Sequence, residues 1–396
     1  MRIGARWIWV VLGASASVGA VTASCSNFDA ADVTPNDAAT DAVDNGDTAS
    51  DAADATIGDA GLDAVACPSR TPTGPACESA CVDRLPLPPG TTIDARIAVQ
   101  GDRIYLLRAT SATTAELLSS SLSAAAWQSL GTYSATGLFG VATTDTKILL
   151  SMQVSGQTDA GADAGADAGA NAHSLLLVQI DGTCTTGCTG TPIAVGGETV
   201  GGNVVSVDQK FFFGSGSAVL TLAPALTPNV VAPEFGGPIL GSDCSYVYWS
   251  NSFDSRVHRY DVAHGLSSEV AGGLFDGVDA SNVSYPSTIA LAVSDTTVFA
   301  STGIGRIMKM PKEPKPDAAA QVLLPRPSRA LAVDERFLYF ASPSGAFLSY
   351  DIVRVGLDGS NPVTVSTGAI VVTDMTSDRD FLYVADKSGQ ITRIKK

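Results

Sequence analysis

One unit recurs seven times along this chain: an apolar alternating strand, a polar turn that often contains Asp, and a second apolar strand with a large residue near its middle. The instances are IAVQGDRIYLL (97–107), VATTDTKILLS (141–151), VSVDQKFFFGS (205–215), LGSDCSYVYWS (240–250), ALAVSDTTVFAS (290–301), ALAVDERFLYFAS (330–342) and DMTSDRDFLYVAD (374–386). Aligned, they make Tyr105, Leu150, Phe213, Tyr248, Phe299, Tyr339 and Tyr383 equivalent, at intervals of 45, 63, 35, 51, 40 and 44 residues. The longest interval holds the low-complexity stretch TDAGADAGADAGANA (158–172), and without those 15 residues it is 48. A period in the mid-forties with about four strands is the signature of a β-propeller blade. A lone four-stranded sheet cannot cover both its faces, whereas neighbouring blades in a closed ring bury each other's.

Each unit carries a third strand about ten residues on: ELLSSSL, HSLLLVQI, AVLTLA, RVHRYDV, GRIMKMP, YDIVRVGL and QITRIKK. Fourth strands are shorter, as in TPIAV (191–195) and PVTVS (362–366). Seven anchors predict seven blades; the alternative, six, would need about 53 residues each. The last unit ends at Lys396 after its third strand, so the segment 80–86 (ACVDRLP) is expected to supply the outer strand and close the ring. The expected fold is therefore all-β, with the propeller spanning 67–396.

Residues 1–24 read as an export signal. Arg2 and Arg6 precede the apolar run Trp7 to Leu12, and small residues follow up to Cys25. The string Thr22-Ala23-Ser24-Cys25 resembles a bacterial lipobox, whose Cys is lipidated, and departs from it at Thr22, where Leu is usual. That resemblance implies a lipid anchor at Cys25 and a place on the cell envelope, with the outer membrane expected. The alternative is free secretion after cleavage at Val21-Thr22-Ala23. No later stretch of 18 apolar residues would span a bilayer.

Residues 25–66 hold ten Asp, no Lys or Arg, and a single aromatic, Phe28. Such a segment cannot bury enough surface to offset chain entropy, and its like charges repel, so a disordered acidic tether is expected. The net charge of -16 is concentrated there and in the 158–172 insert; the rest of the body carries about -5. No basic stripe is present to neutralise phosphates, which argues against a nucleic-acid partner.

Seven cysteines in an exported chain fit one lipidated thiol, Cys25, and six that can pair. Cys184 and Cys188 are spaced to close a small loop, CPSRTPTGPACESAC (67–81) is compact and Pro-rich, and Cys244 is expected to be a buried free thiol. The spacings do not fit common zinc modules, so no metal is expected.

The segment SDCSYVYWSNSFDSRVHRYDV (242–262) resembles the YWTD-type propeller repeat, in which an aromatic strand with Trp precedes a strand ending in a basic residue. Its core is Tyr248-Trp249-Ser250-Asn251, with the Thr and Asp changed; Tyr339-Phe340-Ala341-Ser342 and Tyr383-Val384-Ala385-Asp386 keep a looser form. The pattern also resembles exported bacterial propeller lipoproteins with Asp/Ala-rich tethers. The resemblance covers about 96–396 and speaks to fold, hardly to function.

Catalytic signatures are lacking: there is no G-x-S-x-G elbow, no H-E-x-x-H and no P-loop. The three histidines are His173 at the end of the insert, His258 on a third strand and His264 in the turn after it, all away from the expected axial tunnel. Carboxylates near the tunnel are Asp94, Glu198, Asp279 and Asp374, which solvated loops account for. No catalytic residue and no cofactor are expected. The most distinctive loop is GGLFDGVDASNVSYP (272–286), whose Phe275, Asp276, Asp279, Asn282 and Tyr285 are the candidate ligand-binding residues. The functional expectation is a monomeric, non-enzymatic binding or scaffold module for a protein or glycan of the envelope. A propeller lyase or hydrolase and a purely structural surface protein are the rivals.

Overall fold

A computed structural model describes residues 82–86, 90–123, 126–154, 172–180, 186–193, 195, 200–216, 218–222, 226–233, 239–250, 255–275, 287–314, 318–345 and 348–396. They form seven antiparallel four-stranded sheets and no helix. The sheets are the blades of a closed ring. Six consist of four strands consecutive in the chain, and the seventh has the order expected from the sequence, with Val82–Arg84 outermost beside Ile391–Lys395. Val82 pairs with Ile394 and Arg84 with Thr392, and an Asp83–Arg393 ion pair of 2.8 Å lies across the same two strands. The ring is therefore closed by the joining of two segments about 300 residues apart, as Leu85 N–H donating to Ile391 O at 3.0 Å also shows.

The inner strands are Asp94–Gln100, Gly137–Thr143, Val200–Val207, Ile239–Ser242, Thr288–Val293, Leu331–Val333 and Val372–Ser377, in blades 1 to 7. Each runs from the face where the connecting loops arrive, the loop mouth of the tunnel, to the face of the tight turns, the turn mouth. Small residues on these strands stand opposite large ones on the second strands: Ala98 opposite Tyr105, Ala142 opposite Leu149, Gly241 opposite Tyr248, Ala292 opposite Phe299 and Ala332 opposite Tyr339. Glycine is required where inner strands crowd. A Cβ on Gly241 would lie 2.9 Å from the Cβ of Leu291 in the next blade.

Register corrects two of the seven sequence anchors. Counted from the turn, the residue equivalent to Phe299 is Leu149 in blade 2, not Leu150, and Phe212 in blade 3, not Phe213. The packing agrees. Tyr105, Leu149, Phe212, Tyr248, Phe299, Tyr339 and Tyr383 each face the following blade, in seven separate inter-blade cores. Leu150 and Phe213 point the other way, because a shift of one residue sends a strand side chain to the opposite face.

Cys244 is also corrected. It lies in the turn after Ile239–Ser242 rather than at the start of a core strand, it is only partly buried, and it is disulfide-bonded rather than free. Cys188 is disulfide-bonded as well. Cys25, Cys184 and the insert 158–171 lie outside the described residues.

Candidate functional site: the two mouths of the tunnel

The turn mouth is built by a repeated device. In blades 4, 6 and 7 the turn begins with Asp243, Asp334 or Asp378, and one carboxylate oxygen accepts the N–H groups two and three residues on, at 2.7–2.8 Å. The other oxygen accepts the hydroxyl of the anchor tyrosine: Tyr383 at 2.7 Å, Tyr339 at 3.1 Å and Tyr248 at 3.4 Å. Burial, with the adjacent carboxylate adding to it, holds these phenols far above their usual pKa, so they stay neutral donors. Two residues before each anchor stands an aromatic ring, and an arginine from the third strand covers it: Arg259 over Tyr246 at 4.4 Å, Arg354 over Phe337 at 4.6 Å and Arg393 over Phe381 at 4.8 Å. Lysines complete the pattern from the following blade. Lys312 lies 2.8 Å from Asp243, and Lys396, itself fully buried, lies 3.9 Å from Asp334. The motif that runs along the sequence as Asp-x-x-aromatic-x-Tyr, with a later basic strand, is thus a structural clamp.

The loop mouth is different. A cavity of about 470 Å³ opens there, lined by inner strands of all seven blades. Arg96 of blade 1 pairs with Asp94 at 2.7 Å and donates to Leu138 O of blade 2 at 2.9 Å. Asp374 of blade 7 accepts Ile97 N–H of blade 1 at 3.0 Å and Met375 N–H at 2.8 Å. Asn203 of blade 3 both accepts from and donates to the backbone of Leu240 in blade 4, at 2.8 and 2.7 Å. Side chains therefore fasten neighbouring inner strands. Burial pushes the Asp374 carboxyl up to about 6, against the opposing pull of Arg96 and its two backbone donors. Two groups on the cavity wall stand apart from this fastening: exposed Ile289 and exposed Arg329, which makes no ion pair among the described residues; half-buried Phe139 lines the wall beside them, its carbonyl accepting Arg96 Nε at 3.4 Å.

Of the carboxylates expected near the tunnel, Asp94 and Asp374 flank Arg96; Glu198 and Asp279 lie outside the described residues. Asp374 is no solvated loop residue. It sits on an inner strand with both oxygens bonded. Phe275 is half-buried against the core between blades 4 and 5, and its N–H donates to Ser255 Oγ at 3.0 Å. Asp276, Asp279, Asn282 and Tyr285 lie outside the described residues. His258 stacks on Trp249 with centroids 5.5 Å apart, and His264 pairs with Asp261 at 2.8 Å, neither at the cavity. Among the described residues no three His, Cys, Asp or Glu side chains converge as metal ligands. The sequence reading missed Arg96, Arg329 and Phe139. The readable signal was Arg96 within an apolar alternation, and Arg329 directly before the apolar start of an inner strand.

No family model matches this chain, and no curated protein sequence matches it. Solved structures do resemble it. A virginiamycin B lyase from Staphylococcus aureus superposes with a TM-score of 0.54 at 13% identity, over 80% of this chain and 99% of that one. A structure described as U3-55K gives 0.52 at 10% identity, over 82% and 100%, and the WD40 repeats of RRP9 give 0.52 at 11%, over 81% and 98%. At such identities the likeness shows a shared propeller fold, and nothing of what this chain binds or does.

Proposed function

We propose that this chain is an exported, non-enzymatic binding module that holds a protein or glycan partner at the loop mouth of its tunnel. The observation that carries the reading is Arg329: an exposed cation with no ion pair among the described residues, on the rim of a cavity that also presents Phe139 and Ile289. A cation beside apolar surface suits a partner that offers a carboxylate next to an apolar group. The loop 272–286 belongs to the same site in this reading, with Phe275 as its packed foot and Asp276, Asp279, Asn282 and Tyr285 as contacts. Residues 1–24 act as the export signal, Cys25 carries lipid, 25–66 form the tether, and the anchored protein sits on the outer membrane. The YWTD-like repeat is part of the same proposal. The test is capture from envelope extracts by the purified domain. A partner retained by the native chain and lost by Arg329→Glu, at unchanged melting temperature, supports the reading. A partner kept by Arg329→Glu places the site elsewhere. Mass spectrometry of the mature N-terminus tests the anchor, and an unmodified Cys25 contradicts it.

One observation favours an enzyme as the second reading. Asp374 lines the cavity with a carboxyl that burial pushes up to about 6, a shift in the direction a general acid or base needs. Asp374→Asn separates the two: it abolishes a lyase or hydrolase activity and leaves partner capture intact.

A further inference from the structure

We infer that the partner held at the loop mouth is a protein, gripped by an acidic segment with aliphatic side chains. Its seat is a strip that runs outward from Arg329 over blades 6 and 7 through Arg326, Leu348, Ile370 and Lys387. The inference rests on the reading that the loop mouth binds, and adds to it the class of partner and these further residues.

Among the described residues the large exposed apolar side chains fall into two groups. Five lie along outer strands, on the side of the ring. The others, Ile93, Ile289, Leu348 and Ile370, stand at the loop-face ends of strands. Leu348 and Ile370 are each 52% exposed, and the backbone brings them together. Ser349 pairs with Ile370, and Val371 N–H donates to Leu348 O at 3.1 Å. Lys387 N–H is shared between Ile370 O and Val371 O, both at 3.0 Å. Exposed Lys387 of blade 7 thus adjoins the aliphatic pair of blade 6.

Two bends in this knot are left-handed at residues that resist that conformation, Leu348 (φ 60°) and Val371 (φ 47°). In blade 5 the position directly before the third strand is also left-handed, and there it is Gly305 (φ 81°). Blade 6 puts leucine at that position, half out in solvent, where glycine would hold the hairpin with less strain. Neither the strain nor the exposure stabilises the fold. A contact made by Leu348 outside the chain gives both a use.

The charge beside the pair is positive, on a chain whose net charge is -16. Arg326, Arg329 and Lys387 are exposed and make no ion pair among the described residues. Both arginines sit on the stiff run Pro325-Arg326-Pro327-Ser328-Arg329. Its buried Ser328 accepts the Ser301 hydroxyl at its carbonyl, at 2.5 Å, and donates its own hydroxyl to Ala330 O at 2.8 Å. The carboxylates nearby are engaged or withdrawn. Asp386 accepts the N–H groups of Ile370, Ser388 and Gln390, Asp374 those of Ile97 and Met375, and Asp351 is half-buried in the third strand of blade 6. Strand spacing sets Leu348 about 10 Å outward from the line of Arg329. About five extended residues span that reach. Carboxylates on such a segment suit the cations, and aliphatic or aromatic side chains suit Leu348 and Ile370. A sugar would stack on aromatic rings, whereas the exposed apolar groups of this face are aliphatic. Its cations also fall short of the cluster of about four to eight by which a surface recognises anionic lipid.

The test selects peptides from a displayed library of random dodecapeptides on the full chain, and labels the consensus peptide for fluorescence anisotropy. The expected consensus has Asp or Glu flanking Leu, Ile, Val or Phe. Leu348→Asn with Ile370→Thr is expected to weaken its binding about tenfold or more without lowering the melting temperature, since Asn accepts the left-handed bend and Thr suits a strand. Arg326→Gln with Lys387→Gln is expected to weaken it severalfold and to flatten its salt dependence. A benzophenone in the peptide is expected to label tryptic fragments 337–354 and 355–379 of the native chain, a result that needs no variant to fold. A selection without an acidic consensus, an affinity unchanged by Leu348→Asn with Ile370→Thr, or labelling confined to other fragments overturns the inference. So does binding to phosphatidylglycerol vesicles with no peptide selected, which makes the face a membrane contact. Arg329→Glu separates the two levels of failure. A peptide lost by Arg329→Glu but kept by Leu348→Asn with Ile370→Thr leaves the loop mouth as the site and removes the strip, and a peptide kept by both removes both.

Discussion

The two mouths of the tunnel use the same residue types for different ends. At the turn mouth, Asp243, Asp334 and Asp378 each spend both oxygens on a hairpin and a tyrosine, and lysines face two of them. At the loop mouth, Asp374 fastens two inner strands but looks into an open cavity, and Arg329 is left without an ion pair among the described residues. What separates the two sets is position in the repeat. A carboxylate at the start of a two-residue turn meets backbone donors whatever its blade, because the hairpin aims those N–H groups at it. A charged group at the start of an inner strand meets only what its own blade and its neighbour provide. Recurrence therefore marks structure here, and the departures from recurrence mark the candidate site.

The largest expected effect lies at the turn mouth. Asp334 is 1% exposed, accepts two backbone N–H groups and the Tyr339 hydroxyl, and faces the buried Lys396. Asp334→Ala removes the carboxylate facing that lysine, which keeps its bond to Asp378 O at 2.6 Å, together with the acceptor of three hydrogen bonds, and is expected to cost about 3–5 kcal/mol in denaturant unfolding. A loss under about 1 kcal/mol would break the comparison, since it would make this carboxylate as dispensable as a surface one. Next comes Tyr383→Phe, which removes a charge-assisted bond and is expected to cost about 1.5 kcal/mol. Tyr105→Phe sharpens the contrast. Blade 1 has Gln100 where blades 4, 6 and 7 have the turn Asp, so the same change should cost clearly less.

Asp374 gives a smaller, pH-dependent effect. Its folded pKa of about 6 stands above the ordinary carboxyl value of about 3.9. The folded state therefore binds this proton more tightly than the unfolded chain does. The stabilisation is complete below about pH 4 and is lost as pH rises through about 6. After solvent screening it amounts to about 1 kcal/mol. Asp374→Asn is expected to flatten stability across that window, and an unchanged pH profile would show that the carboxyl is not held up by burial. The smallest effect belongs to a region at neither mouth. Deleting 158–172, which holds no apolar residue larger than Ala, is expected to change stability by tenths to about 1 kcal/mol.

Much of this architecture was legible in the sequence because the blade repeat is strong where aromatic residues alternate with small ones. The seven blades and the closing strand before Leu85 followed from spacing alone. The two slipped anchors fall in Ile148-Leu149-Leu150 and Phe211-Phe212-Phe213. In such runs every position is apolar, so a period of two carries no information about which face a residue takes, and only the turn geometry sets the register. Cys244 was misjudged for a related reason. It lies between the turn Asp and the second strand, and one residue of shift decides between core and rim. The loop mouth was less legible still. Asp374 was found, but its surroundings depend on the Ile97 N–H that it accepts, 277 residues away, and on the charge of Arg96 on the same strand. Arg329 and Phe139 belong to no motif and gain meaning only when seven strands from distant parts of the chain surround one cavity.

The central claim, that the loop mouth binds and the turn mouth holds the fold together, is tested most directly by one paired measurement. Arg329→Glu and Tyr383→Phe are compared with the native domain for partner capture from envelope extracts and for melting temperature. The account predicts that Arg329→Glu loses the captured partner at an unchanged melting temperature, while Tyr383→Phe melts lower and keeps the partner. The opposite pattern, with Arg329→Glu retaining the partner and Tyr383→Phe losing it without a change in melting temperature, would contradict the account and move the binding site to the turn mouth.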